Sequence, residues 1–133
     1  MNVWVNGTFD VLHRGHVEML KYAATLGTLR VGIDYDQRVR ELKGNTRPVN
    51  TWEDRKFMIE NIVGVHSVVG FGTDEELVEQ IKNWKTNVIV VGSDYMGKNV
   101  IGSEHSEYLE FYKKIDGYST TKILSHEKDS SSW

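Results

Sequence analysis

Two imidazoles three positions apart open the case for chemistry in this chain. They lie in Gly7-Thr8-Phe9-Asp10-Val11-Leu12-His13-Arg14-Gly15-His16. The segment follows an apolar triplet, Val3-Trp4-Val5, and leads into a helical pattern. A strand's carboxyl end running into a helix start is where unpaired N–H groups and the helix dipole favour an anion. His13 and His16 can face one side of that helix start, and each can donate to a phosphoryl oxygen. Gly15 removes a side chain where a phosphate must approach the backbone. Two other readings stand beside this one: structural histidines buried in the core, and a metal shared by the pair. No third ligand is near in sequence, and a structural zinc site without cysteine would be unusual, so phosphate chemistry is the stronger reading.

Further polar signals accompany the pair. Lys43 and Arg47 lie in a charged stretch, Arg55 falls near a helix start, and Gly117-Tyr118-Ser119-Thr120-Thr121 sits where a last helix should begin. Hydroxyls and N–H groups there suit phosphates, although a simple N-cap would account for Ser119. A cation in a first turn opposes the helix dipole, so Arg55 calls for an anion partner. Arg47 precedes Pro48, which predicts an extended backbone. The bland reading of Lys43 is a solvated loop lysine, against which the unusual loop length counts. Asp94, in Gly92-Ser93-Asp94-Tyr95, could equally close an Asx-turn.

The elements that must carry these residues follow from the apolar pattern. Strands are predicted at Val3–Val5, Leu29–Ile33, His66–Phe71 and Val88–Val91. Helices are predicted from about Gly15 to Leu26 with Gly27 as the stop, from Thr51 as N-cap to about Val63 burying Phe57, Met58, Ile59 and Ile62, and after Thr73 burying Leu77, Val78, Ile81 and Trp84. Residues 34–50 read as one long polar loop, a length that is often functional. Glu107–Lys114 alternates and reads as an edge strand, and Ser119 opens a short last helix. Strands alternating with helices imply an α/β domain: a Rossmann-like parallel five-stranded sheet with helices on both faces and ligands at the strands' carboxyl ends.

The chain has 133 residues, a net charge of −3 and no cysteine. One domain, 1–126, with a polar tail at 127–133, fits that length. The charge argues against a general nucleic-acid binder. No apolar run approaches the about 18 residues of a membrane span, and the acid at position 10 with no basic n-region argues against a signal peptide. The absence of cysteine excludes disulfides and a cysteine nucleophile. A cytoplasmic protein is the expectation.

GTFDVLHRGH, together with the late STT segment, resembles the signature of the HxGH nucleotidyltransferase superfamily in its cytidylyltransferase-like branch, and the resemblance runs from Val3 to Leu124. It implies attack by an acceptor phosphate oxygen on the α-phosphorus of a nucleoside triphosphate, with pyrophosphate leaving and no covalent intermediate. By that resemblance His13, His16, Lys43 and Arg55 are catalytic. Gly7, Thr8, Phe9, Asp10, Gly15, Asp94, Gly117, Ser119, Thr120 and Thr121 contact the nucleotide, and Asp36, Arg47 and Arg55 contact the acceptor. Lys43 is expected on a mobile loop. Mg²⁺ is expected to accompany the triphosphate on phosphate oxygens and water, with no protein ligand assigned, and a homodimer is implied.

Two subfamilies compete for the substrates. The Ser119–Ile123 STTKI segment and the short chain are similar to glycerol-3-phosphate cytidylyltransferase. The Leu42-Lys43-Gly44 to Arg47-Pro48-Val49-Asn50 pattern, Gly92-Ser93-Asp94-Tyr95 and Ile101-Gly102 are similar to the adenylyltransferase domain of ADP-heptose synthesis. The glycerol-3-phosphate enzymes place an arginine where Val63 stands, and another where this chain has Lys113-Lys114-Ile115-Asp116. The free-standing short chain tips the expectation to CMP transfer from CTP to a small polyol or sugar phosphate. Adenylyl transfer from ATP to a sugar 1-phosphate is the second reading, and a non-catalytic nucleotide-binding module the third.

Overall fold

The computed structural model describes residues 1–113. The expected last helix from Ser119 and the tail lie outside the described residues. Five strands are present: β1 (Asn2–Gly7), β2 (Thr28–Asp34), β3 (Val65–Phe71), β4 (Val88–Gly92) and β5 (Tyr108–Tyr112). They form one sheet in the order β3-β2-β1-β4-β5, and every pairing is parallel. Helices α1 (Arg14–Leu26), α2 (Asp36–Lys43), α3 (Trp52–Glu60) and α4 (Asp74–Asn83) connect them.

Alternation along the strands sorts the core into two layers. Val3, Val5, Val31, Ile33, Val88 and Val90 pack on one face with Met19, Leu20 and Ala23 of α1 and Ile59 of α3. Trp4, Phe71 and Ile89 pack on the other with Leu77 and Ile81 of α4 and with Val100. The sheet is therefore covered on both faces, as a parallel sheet requires. After β3 the chain crosses over β2 and β1 to lay β4 on the far side of β1. Strand order thus reverses at β1 and β4, and a crevice opens beyond their carboxyl ends.

Local chemistry sets the helix ends. Thr51 and Thr73 accept from the backbone N–H groups of Asp54 and Glu76, as N-caps do. Gly102 adopts φ +86°, and a Cβ there would come within 2.5 Å of Ile81, so only glycine fits this turn over α4.

The structure corrects two of these expectations. The 34–50 stretch is not one loop: it contains α2, whose single buried residue is Val39, too little apolar surface to show a helical period. Asp36 in its first turn and Arg40 and Lys43 in its last complement the dipole instead. Helix α3 stops at Glu60, and Phe57 and Met58 are exposed. Arg55 and Ile59, one turn apart, form its buried face, which turns residues 57 and 58 outward. The Arg47–Pro48 peptide is cis. The edge strand is present as β5, at one border of the sheet.

Candidate active site

The turn between β1 and α1 is built around its two histidines. His13 is the N-cap of α1 in extended conformation, and its Nδ1 accepts the N–H of Gly15 at 3.1 Å. His16 returns the bond: its Nδ1 accepts the N–H of His13 at 3.1 Å. This is a reciprocal cap made with imidazoles in place of the usual hydroxyl and carboxamide. A ring nitrogen that accepts an N–H cannot carry a proton, so each ring holds its proton on Nε2 and donates from there. The rings stack with centroids 3.7 Å apart, and the edge of Phe9 meets His16 at 5.2 Å. His16 is buried and His13 half-buried. Phe9 takes φ +50°, a left-handed conformation that costs a side-chain-bearing residue about 1–2 kcal/mol and bends the chain out of the sheet.

Beneath this turn lies a polar brace. Asp10 is 2% exposed, and its carboxylate accepts the N–H groups of Val49 and Asn50 at 2.8–2.9 Å. The Asn50 side chain donates back to the Asp10 carbonyl at 2.6 Å. Arg47 lies 3.9 Å from the same carboxylate. Arg55, 1% exposed, donates to the carbonyls of Thr8 at 2.9 Å, Asp34 at 2.8 Å and Asn50 at 3.0 Å, and to the Asp36 carboxylate at 2.6 Å. Four of the five guanidinium N–H bonds are thus spent inside the protein. The anion partner that the first turn of α3 demanded is Asp36, and the two residues expected to grip the acceptor together are paired with each other. Arg55 thereby ties the ends of β1 and β2 to α3.

A cavity of about 360 Å³ opens on the α4 side of the crevice. Asn6, Gly7 and Thr8 from the end of β1, Asp34 and Arg38 beyond β2, and Lys43 at the end of α2 supply its polar lining. Phe71, Leu77, Val91, Val100 and Ile101 supply its apolar wall. Lys43 therefore reaches the site from a helix terminus, not from the mobile loop that was expected. Thr8 donates to Asp34 at 3.1 Å, and Arg38 donates to Asp34 at 2.9 Å and to Asp74 at 2.7 Å. Burial pushes the Asp34 carboxyl above its ordinary range, against the pull of Arg38, Thr8 and Arg55. Asp94 lies exposed in a short turn of 3₁₀ helix after β4, and Gly92 and Tyr95 beside it line the cavity. Gly117, Ser119, Thr120 and Thr121 lie outside the described residues.

Sequence reasoning passed over Asp34, Arg38 and Asn6. The signal for Asp34 was present: it is an acid at the carboxyl end of an otherwise apolar strand, the end where ligands bind. Arg38 was hidden by the misread loop, since only α2 brings it back over β2. Among the described residues no helix is long and apolar enough to cross a membrane.

Comparison with known proteins agrees with this architecture. A family model described as cytidylyltransferase-like matches residues 4–132. The bifunctional protein HldE of Sulfurimonas denitrificans is 43% identical over 127 residues, which is 95% of this chain and 26% of that protein. The HldE proteins of Campylobacter fetus and Helicobacter pylori are 42% and 39% identical over 95% of the chain. The chain spans about a quarter of the length of these relatives. A lipopolysaccharide core biosynthesis protein from Thermoplasma volcanium shares the fold at a TM-score of 0.65 and 22% identity, over 85% of this chain and 97% of that one. The chain belongs to the cytidylyltransferase-like family of nucleotidyltransferases.

Proposed function

We propose that the chain transfers an adenylyl group from ATP to a sugar 1-phosphate, releasing pyrophosphate. The likeness to HldE over 95% of the chain carries the choice of nucleotide and acceptor, because it reverses the order of the two readings from sequence. The site supports it. The segments similar to the adenylyltransferase domain of ADP-heptose synthesis converge on one place: Leu42 and Lys43, Gly92 and Tyr95, and Ile101 all line the same cavity. Val63, which stands where the glycerol-3-phosphate enzymes place an acceptor arginine, is 88% exposed beyond the end of α3.

In the proposed reaction an acceptor phosphate oxygen forms a bond to the α-phosphorus, and the bond from that phosphorus to the β-bridging oxygen breaks. Charge builds on the α-phosphoryl oxygens and on the departing pyrophosphate. The His13 and His16 Nε2–H groups, with tautomers fixed by the capping bonds, are preorganised donors for that charge, with the α1 N-terminus beside them. Lys43 supplies a cation between donor and acceptor phosphates. Asp10 and Arg55 act by holding the turn and the 47–50 segment in place.

Mg²⁺ would accompany the triphosphate on phosphate oxygens and water. Among the described residues no three metal-binding side chains cluster, and the carboxylates of Asp10, Asp34 and Asp36 are each bonded to protein donors. The test is a matrix of the four nucleoside triphosphates against sugar 1-phosphates and glycerol 3-phosphate, read by pyrophosphate release. ATP with a sugar 1-phosphate should give the largest kcat/KM. CTP with glycerol 3-phosphate as the best pair would restore the other reading.

A further inference from the structure

The cavity's polar floor has an unusual balance. Two of Arg38's five N–H bonds are spent on Asp34 and Asp74, which leaves three without a partner among the described residues. The Asp34 carboxylate, 7% exposed, accepts one bond from Thr8 and one from Arg38, half of what its two oxygens can take. Asn6 accepts from the Trp4 indole N–H at 2.9 Å, so its amide N–H₂ group has no partner among the described residues. Unused donors and an unused acceptor thus line one cavity, and each such group gains from a partner that replaces lost water.

The charge narrows what that partner is. Asp34 and Asp74 outweigh Arg38, so the three together carry one negative charge. A phosphate placed on Arg38 would meet two carboxylates. A hydroxyl is neutral and does both jobs: its O–H donates to Asp34 while its oxygen accepts from Arg38 or Asn6. Two adjacent hydroxyls fit a carboxylate beside a planar fork of donors. Phe71 lies under the Arg38 guanidinium at 5.4 Å, and Leu77 and Val100 continue the apolar wall, which suits the C–H face of a sugar ring.

We infer that Asp34 and Arg38, flanked by Thr8 and Asn6, recognise vicinal hydroxyls of the acceptor and so make the site selective for a polyhydroxylated phosphate. The inference rests on the proposed nucleotidyl transfer for its reaction but on the cavity for its chemistry. Arg38 and Asp34 hold the body of the acceptor, and its phosphate extends toward Lys43 and the α1 terminus.

The test is steady-state kinetics of wild type and Arg38→Lys with ATP and mannose 1-phosphate, and with monodeoxy forms of that sugar phosphate. Arg38→Lys keeps the charge and loses the fork. The KM for the sugar phosphate should rise at least tenfold, kcat should fall far less, and the KM for ATP should stay within twofold. The wild type's preference for the hydroxylated sugar over its deoxy forms should collapse in the variant. A rise confined to the KM for ATP would place the nucleotide here and overturn the inference, as would an unchanged preference. Should Arg38→Lys fail to fold, Asp34→Asn carries the same test. Should the wild type show no turnover, the proposed reaction fails by itself. Calorimetric titration with mannose 1-phosphate then decides: a tenfold weakening in the variant supports the hydroxyl site, and equal or absent binding in both proteins overturns it.

Discussion

Two arginines border the same crevice and do opposite work. Arg55 is sealed beneath the β1 exit with four N–H bonds committed, three of them to backbone carbonyls. Arg38 stands at the cavity with two N–H bonds committed, both to carboxylates, and its side chain is 14% exposed. A guanidinium that bonds carbonyls from three segments fixes a shape. One that bonds only carboxylates in an open cavity retains capacity for a ligand. Residue type and position near the active site therefore do not separate a brace from a contact; the destination of each N–H bond does.

Breaking the brace should give the largest effect. Arg55→Ala takes this donor away from the carbonyls of Thr8, Asp34 and Asn50 and from the part-exposed Asp36 carboxylate, and each buried acceptor left unsatisfied costs about 1–3 kcal/mol. Chemical denaturation should show that loss directly, and a change under about 1 kcal/mol would return Arg55 to the ligand side of the comparison.

His16→Ala comes next and acts mainly on rate. Removing a preorganised donor lowers kcat by about 10²–10³-fold. Because His16 also caps α1, a stability loss of about 1 kcal/mol should accompany it. Full activity in a folded variant would remove the histidine pair from the mechanism. Lys43→Ala should reduce kcat/KM strongly with little change in Tm, since its charge at the end of α2 supports the helix by only about 0.3–1 kcal/mol. A large drop in Tm would make Lys43 a second brace.

The smallest effect sharpens the Arg38 side. The Asp34 carboxyl is raised on folding, so the folded chain holds that proton more tightly than the unfolded one. Its contribution to stability is greatest below the unfolded-state value of about 3.9 and is lost as pH rises through the folded value. Arg38, Thr8 and Arg55 act on the group, and Asp34→Asn leaves all three in place. The Tm of Asp34→Asn relative to wild type should therefore climb as pH rises from about 4 to 7. A flat difference would show that burial does not govern this carboxyl.

The same contrast explains what could be read from the sequence. The strands, the α1 and α4 helices and the histidine turn were legible because apolar period and capping residues mark them. Helix α2 was not, because one buried valine carries no period, and Arg38 went unseen with it. The first turn of α3 announced that Arg55 needed an anion, but nothing local could say that the anion was Asp36 of the same chain. That partnership is made by tertiary packing across β2. Phe57 and Met58 were expected in the core because they are apolar, but the buried face of α3 is the one that carries Arg55 and Ile59.

The most direct measurement is ³¹P NMR of the chain incubated with ATP and a heptose 1-phosphate. The account predicts two products in equal amounts, pyrophosphate and a sugar nucleotide whose two phosphorus atoms are coupled through a new phosphoanhydride. ADP with a doubly phosphorylated sugar, or no reaction with ATP while CTP and glycerol 3-phosphate are consumed, would contradict it.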